Sequence, residues 1–285
     1  MVKQTYDHKD IKVLGDVEHV RINAGMYIGE TSNPVHLVEE ALDNSLDECL
    51  AGFANIVAVN IDTKTKVFSV LDNGRGIPIE GNVPEIISTK LFSGSKFKDS
   101  KSVYTICSGL HGIGLVAINA LSESYIIEVY RDNKHATFSF ENSKLKEKKI
   151  EDFKGDKPFS TKIMFKPDKK IFESLLPDLN RIKSRLLMAS VELSSCTFVL
   201  NVDEKKDVIK LDADTFFKEH CLSDNDSELT PTIDVQVKDG VESFSAKFCY
   251  ATSGSISPKI QSSINLLPVE SGGTHVTIFV DILRN

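Results

Sequence analysis

The chain has 285 residues, 41% of them hydrophobic and 26% charged, enough for one large domain or two modest ones with real cores. Asp and Glu (41) outnumber Lys and Arg (34), and the formal charge of −7 is not the footprint of a chain that grips nucleic acid over a broad face. No run approaches the roughly 20 apolar residues of a membrane span, and Met1 to Asp7 lacks the apolar stretch of a secretory signal, so a cytoplasmic location without membrane contact is expected. The cysteines (Cys49, Cys107, Cys196, Cys221, Cys249) are scattered and form no CxxC pair. That suits reduced thiols better than a disulfide frame or a zinc site.

In chain order, residues 1–15 read as an N-terminal arm with Tyr6 and Ile11 as its anchors. Val35 to Ala51 has helical spacing, with Asn33 as N-cap, Pro34 in the first position and Gly52 at the stop. Ile56 to Ile61 and Val67 to Leu71 predict a hairpin joined by a polar turn. Pro84 to Phe92 predicts a short helix. Lys96 to Gly114 is polar and Gly-rich, and Leu115 to Leu121 resumes helical spacing. Strands are expected at Tyr125 to Tyr130, Ala136 to Phe140 and Lys162 to Phe165. The basic runs Lys144 to Lys149 and Lys166 to Lys170 read as solvated loops. A long helix is expected over Pro177 to Val191 and a strand over Thr197 to Val202. The polar run Ser223 to Ser227 reads as a surface loop or linker, and Thr232 to Val237 and Ser243 to Ala251 alternate as strands. A boundary in 205–225 follows, with a first domain at 16–210 and the start of a second at 211–285. The fold class is α+β, a sandwich with helices stacked on one face of a mixed sheet.

Three constellations carry chemistry. On the first helix His36, Glu40, Asp43, Asn44 and Asp47 fall within about a third of the circumference, while Val38, Ala41, Leu42 and Cys49 point to the core. A solvated polar face would look the same. However, Glu40, Asp43 and Asp47 repel one another with no Lys or Arg on the stripe to offset them. A magnesium ion would relieve that crowding, Asn44 could give it a neutral oxygen, and Glu40 could polarise a water for attack on a phosphate. The second constellation is Val70-Leu71-Asp72-Asn73-Gly74-Arg75-Gly76-Ile77-Pro78. Asn-Gly is also a hairpin signal, but the residues after Pro78 do not alternate as a returning strand. An ionised Asp at a strand end is a pure acceptor, which matches the exocyclic amine of adenine and not the carbonyl of guanine. Arg75 reads as structural, pairing with Glu48. The third is Ser108-Gly109-Leu110-His111-Gly112-Ile113-Gly114, leading into a helix. Its glycines can expose backbone N–H groups at the positive end of the helix dipole as an anion cradle, although a flexible loop would read similarly. It has neither P-loop nor Rossmann spacing.

Glu40-x-x-x-Asn44, Asp72-x-Gly74-x-Gly76 and Gly109-x-x-Gly112-x-Gly114 together resemble the motifs of the GHKL ATPases: gyrase, the ninety-kilodalton heat-shock chaperones, the sensor histidine kinases and MutL. Five further stretches narrow the resemblance to gyrase B and its topoisomerase IV paralogue, ParE. They are Gly25-Met26-Tyr27-Ile28-Gly29, Asp43-Asn44-Ser45-x-Asp47-Glu48, Ser108 to Gly114, Asn119-Ala120-Leu121-Ser122 and Gly272-Gly273-Thr274-His275.

The resemblance implies a Bergerat-type α/β sandwich followed by the beginning of a transducer domain, with ATP and Mg2+ as ligands. Glu40 is then the general base, assisted by His36, and Asn44 binds the metal. Asp72 binds adenine, with Gly76 and Thr161 joining through water, and Ile77, Pro78 and Ile87 line the base. Asp47 joins the nucleotide site, and Lys96 and Tyr104 lie in its lid. Gly109, Leu110, His111, Gly112, Ile113 and Gly114 hold the γ-phosphate, and Tyr6 reaches the partner protomer's site.

The implied activity is that of a type II DNA topoisomerase: homodimerisation on ATP closes a gate on DNA for strand passage, together with a cleavage subunit (gyrase A or ParC). The alternatives are another GHKL ATPase of MutL or chaperone type, or a module that binds ATP without appreciable turnover. The chain departs from the family in several ways. The segment from Pro78 to Lys96 is short, Asn23-Ala24 replaces Arg-Pro, and an Arg near Ala136 and Thr137 that many members use at the pocket mouth, where aminocoumarins bind, is missing. The family's transducer lysine lies beyond Asn285, which implies an N-terminal fragment with slow turnover by itself.

Overall fold

The computed structural model describes residues 13–94, 112–220, 233–239, 242–248, 263–264, 266–269 and 273–284. After two short helices, α1 (Asp16–Ile22) and α2 (Ala24–Ile28), comes the long α3 (Val35–Leu50). β1 (Ile56–Asp62) and β2 (Val67–Asp72) follow, then α4 (Val83–Thr89) and α5 (Gly114–Ala120). β3 (Ser122–Arg131), β4 (Lys134–Glu141), β5 (Lys144–Asp152) and β6 (Thr161–Pro167) lead to α6 (Leu179–Glu192), β7 (Thr197–Val202), β8 (Lys205–Ile209) and α7 (Ala213–His220).

β1 to β8 form one mixed sheet in the order β5-β4-β3-β6-β2-β1-β7-β8. β1 and β7 run parallel, and the other neighbours are antiparallel. Alternation explains its two faces. Val57, Val59 and Ile61 on β1, Phe68 and Val70 on β2, Ile127 and Val129 on β3, and Ile163 and Phe165 on β6 are buried on one side. Their intervening neighbours Glu128, Lys162 and Leu71 are half-exposed on the other. The helices cover the first side. On α3, Leu37, Val38, Ala41, Leu42, Leu46 and Cys49 are buried as the helical spacing requires. Phe68 and Phe165 meet edge to face with centroids 5.9 Å apart, and each such fully buried side chain contributes about 1.5–3 kcal/mol.

Several expected elements differ at their ends. The N-cap of α3 is Pro34 and not Asn33, so the helix begins at Val35, one residue later than expected; Asn33 stands just before it, its Oδ1 accepting from the Val35 N–H at 3.0 Å. α6 begins at Leu179, two residues after Pro177, because the Asp178 carboxylate accepts from the N–H groups of Asn180 (2.9 Å) and Arg181 (3.1 Å). The Lys144 to Lys149 run, expected as a loop, is the exposed edge strand β5. Its main chain pairs with β4 whatever its side chains are, and lysines on an edge discourage further pairing. In the second basic run, Lys166 ends β6 in an ion pair with Glu123 at 3.1 Å.

Beyond β8, α7 packs Ala213 and Phe216 against Val191 of α6. The expected boundary at 210 therefore falls between the last strand of the large sheet and a helix that still contacts it through α6. β9 (Ile233–Asp239) and β10 (Glu242–Phe248) lie where two strands were expected and pair with each other antiparallel. β11 (Ser263–Ile264), β12 (Leu267–Pro268) and α8 (Gly273–Arg284), which opens on the Gly-Thr-His segment, complete the described elements. No helix among the described residues is long and apolar enough to cross a membrane.

Candidate functional site

α3 is the spine on which the three constellations meet. Ser45 donates from Oγ to Asp72 Oδ2 at 3.0 Å, so the helix holds the strand-end carboxylate directly. Three residues on, the Glu48 carboxylate takes Arg75 Nε (3.1 Å), Arg75 Nη2 (2.6 Å) and the Arg75 backbone N–H (2.9 Å). Two turns before Glu48, Glu40 lies against Gly114, the first residue of α5: a Cβ added there would run into its carboxylate.

Asp72 ends β2, paired with Val57 on one side and Thr161 on the other. It is 4% exposed. Its Oδ1 accepts from the Gly74 N–H at 2.8 Å. Burial pushes its pKa from 3.8 up to about 6, the bonds from Gly74 and Ser45 holding back part of the rise. The group is therefore ionised at neutral pH and close to titrating. Beside it, Thr161 is 9% exposed, and the buried Ser160 hydroxyl has no hydrogen-bond partner among the described residues.

No strand returns after Asp72, so the Asn-Gly turn is not a hairpin. The backbone instead threads a narrow gap. A Cβ on Gly74 would sit 2.8 Å from Glu48 Oε2. Gly76 has φ +82°, and its Cβ would lie 3.1 Å from the Tyr130 carbonyl. The Gly76 carbonyl accepts from Arg131 Nη1 at 2.7 Å, and the Arg75 guanidinium stacks 3.9 Å from the centre of the Phe53 ring. Arg75 is thus the wall-building residue expected. Gly76→Ala should destabilise the fold by roughly 1–3 kcal/mol, since it combines left-handed strain with a tight contact; thermal unfolding of the variant checks this. Ile77 and Ile87 are half-buried and Pro78 is exposed beyond the turn.

The helix stripe needs one correction. Asp43 is not left to repel its neighbours: Arg185 of α6 donates to its Oδ1 at 2.7 Å. Arg181, one turn earlier on α6, makes two bonds to Glu39 at 2.6 and 2.7 Å. The compensating cations come from a helix about 140 residues away, which a reading of one helix does not include. Burial still raises the pKa of Asp43, with Arg185 opposing. Asp47 is fully buried. His36 places Nδ1 3.2 Å from Glu39 Oε2 and 3.5 Å from Arg181 Nη2, so these contacts face Glu39 and not Glu40. Asn44 donates from Nδ2 to the Glu40 carbonyl at 2.9 Å.

Gly112 has φ +60° and Ile113 precedes the first turn of α5. Tyr6, Lys96, Tyr104, Gly109, Leu110 and His111 lie outside the described residues. Asp43 was legible on the helix stripe but its partner was not, and Arg185 left no signal of its own in the sequence. Ser45 appeared only within the Asp43 to Glu48 stretch, without a role. A separate cleft of about 300 Å³ lined by Asn60, Asp62, Asn201 and Asp203 lies at the far end of β1 and contains none of these groups.

Residues 29–147 match the family of histidine kinase-, DNA gyrase B-, and HSP90-like ATPases. The chain is 34% identical over 284 residues to the DNA topoisomerase 4 B protein of Francisella tularensis subsp. holarctica, covering 96% of this chain and 44% of that protein. It is 33% identical over 289 residues to DNA gyrase B of Thermus thermophilus, with the same coverage. The chain thus spans less than half the length of these relatives. Among solved structures, the 43K ATPase domain of Thermus thermophilus gyrase B, in complex with an aminocoumarin, superposes with TM-score 0.76 at 28% identity, over 93% of this chain and 70% of that one. The topoisomerase IV ATP-binding domain of Francisella tularensis gives 0.58 at 30% identity, over 70% of this chain and 96% of that one. The family match spans α3 and the Asp72 turn, and the named relatives favour the topoisomerase branch over chaperones or MutL; the chain belongs to the family of ATPase domains found in DNA gyrase B and its topoisomerase IV counterpart.

Proposed function

We propose that this module binds ATP between α3, the Asp72 turn and the start of α5, and hydrolyses it with Glu40 as general base. One observation carries the reading: the helix bearing the first constellation touches both others, the second through Ser45 to Asp72 and Glu48 to Arg75 and the third through Glu40 to Gly114. The buried Asp72 carboxylate presents only acceptors, so a base donating an amine fits it. Thr161, the unpartnered Ser160 hydroxyl and Gly76 suit water-mediated contacts to the same base, with Ile77, Pro78 and Ile87 along its face. Gly112, Ile113 and Gly114 lie at the entry of α5, where backbone N–H groups suit the terminal phosphate; Gly109, Leu110, His111, Lys96 and Tyr104, outside the described residues, are assigned to the same nucleotide by the family resemblance alone.

Asn44 fits a magnesium ion by its donor chemistry. Its Nδ2 is turned to the Glu40 carbonyl, which points the oxygen end of the amide the other way, and magnesium takes few protein ligands when phosphates and waters supply the rest. When bound, the ion neutralises phosphate charge. Glu40 takes the proton of the attacking water, and His36, one helical turn before it on α3, assists it. Asp47 belongs to the same polar face.

In the whole enzyme, ATP-dependent dimerisation, with Tyr6 crossing to the partner protomer, would close a gate on DNA beside a cleavage subunit of the gyrase A or ParC kind. The names of the relatives support that assembly. Residues 211–285 then begin the transducer.

Titration calorimetry with a non-hydrolysable ATP analogue and magnesium tests the site. Saturable binding is expected, with the GTP counterpart about 10–100-fold weaker, because guanine sets a carbonyl against the Asp72 carboxylate. Equal binding of both purines, or none of either, would overturn the proposal.

A further inference from the structure

The contact of Glu40 with Gly114 leaves α3 little freedom to slide or roll. A Cβ at Gly114 would lie only 3.3 Å from Glu40 Cβ and 3.1 Å from its Cδ, so the backbones of α3 and α5 are already close at this point. Beneath that contact α3 is tied to α6 by two rungs, each one turn after the last on both helices: Glu39 to Arg181 and Asp43 to Arg185. The rungs differ in setting. The Arg181 side chain is 47% exposed, and a surface pair of that kind holds a helix only weakly. The Arg185 and Asp43 side chains are 4% and 15% exposed. In that setting the two groups have few other partners, and their geometry is fixed by each other. Asp43 also lies between Glu40 and Asn44, the two residues on which the hydrolytic reading depends.

Arg185 shows a further feature. Its Nη1 is buried and without a hydrogen-bond partner among the described residues. A guanidinium serving stability alone would be expected to satisfy its buried donors, since an orphan N–H is costly. A buried ion pair is in general a weak source of stability but can specify one arrangement among several.

We propose that Arg185, acting through Asp43, is a positioning residue for ATP hydrolysis: it sets the axial position and roll of α3 so that Glu40 meets the entry of α5. The inference rests on the reading of Glu40 as general base. Misplacement by about 1 Å can cost on the order of 100-fold in rate while leaving binding nearly intact, and adenine is held by Asp72, which besides its bond from Ser45 of α3 is fixed outside that helix by the Gly74 N–H and by strand pairing with Val57 and Thr161.

The test uses Arg185→Met and the double variant Asp43→Leu/Arg185→Met in the whole enzyme, with thermal unfolding, ATP affinity by calorimetry, and kcat against KM. The single variant strands a buried carboxylate and should melt at a lower temperature. The double variant removes both charges and should recover wild-type melting, bind ATP within about threefold of wild type, and still lose at least tenfold in kcat. Wild-type kcat in the folded double variant would show the pair to be merely structural. Parallel loss of ATP affinity, or failure of the double variant to fold, would equally overturn the assignment. Glu40→Gln is the control: if it binds ATP and turns over normally, the general-base reading fails, whatever the Arg185 variants do.

Discussion

Asp72→Asn is expected to weaken ATP binding by about 100-fold or more while leaving the unliganded protein as stable as wild type or more so at neutral pH. The two effects share one cause. The carboxylate is 4% exposed and its pKa is raised from 3.8 to about 6 by burial. A raised acid is one whose charged form the fold disfavours. The contribution to stability is therefore fully present below pH 3.8 and is lost as pH rises through about 6. By pH 7 the ionised group costs the fold about 3 kcal/mol relative to an unshifted one. Asn has the same shape and no charge. Its oxygen can keep the bond from the Gly74 N–H, and its amide can donate to Ser45 Oγ, a hydroxyl that accepts as readily as it donates. Chemical denaturation from pH 4 to 8 should show the wild type losing stability over the lower half of that range, up to about pH 6, relative to the variant, and no further change above it.

The same amide would turn a donor toward the adenine amine, and an unpaired donor facing a donor should weaken binding by about 100-fold or more. Wild-type affinity should fall below pH 6 as Asp72 is protonated, and the variant should not show that dependence. An Asp72→Asn protein that binds ATP normally would remove adenine recognition from this residue.

Glu40→Gln should bind ATP within a few-fold of wild type and lose turnover by about 100-fold or more in the whole enzyme, the usual cost of removing a general base. Gln keeps the shape that lies against Gly114, so packing is preserved. Its carboxylate neighbours cannot stand in. Glu39 is bound twice by Arg181, which together with the His36 contact draws its pKa down against the effect of burial. Asp43 is held by Arg185. Single-turnover hydrolysis beside a binding isotherm separates the steps. Unchanged turnover would mean that another group activates the water.

The local pattern of the chain was enough to announce most of the sheet. β1, β2 and β7 lie where alternation placed them, and the apolar side of α3 is the one its spacing predicted. Propensity misread β5, because a run of lysines says nothing about the backbone pairing offered by β4. The Asp72 turn was legible as something other than a hairpin, since its residues are contiguous and Gly74 and Gly76 stand where a Cβ would come within about 3 Å of Glu48 and Tyr130.

What the sequence alone determined was therefore the inventory of the site: the carboxylates and amide on one helix face, the acid at a strand end, the glycines before a helix, and the family these motifs share. Only the tertiary structure decided which carboxylate is available for which task. Arg181 and Arg185 stand 142 residues from Glu39 and Asp43, and charge compensation across that separation has no signature in either helix. The titration of Asp72 near pH 6 is likewise a property of its surroundings. It arises because β1, β6 and α3 close over a carboxylate that on an isolated strand would be fully hydrated.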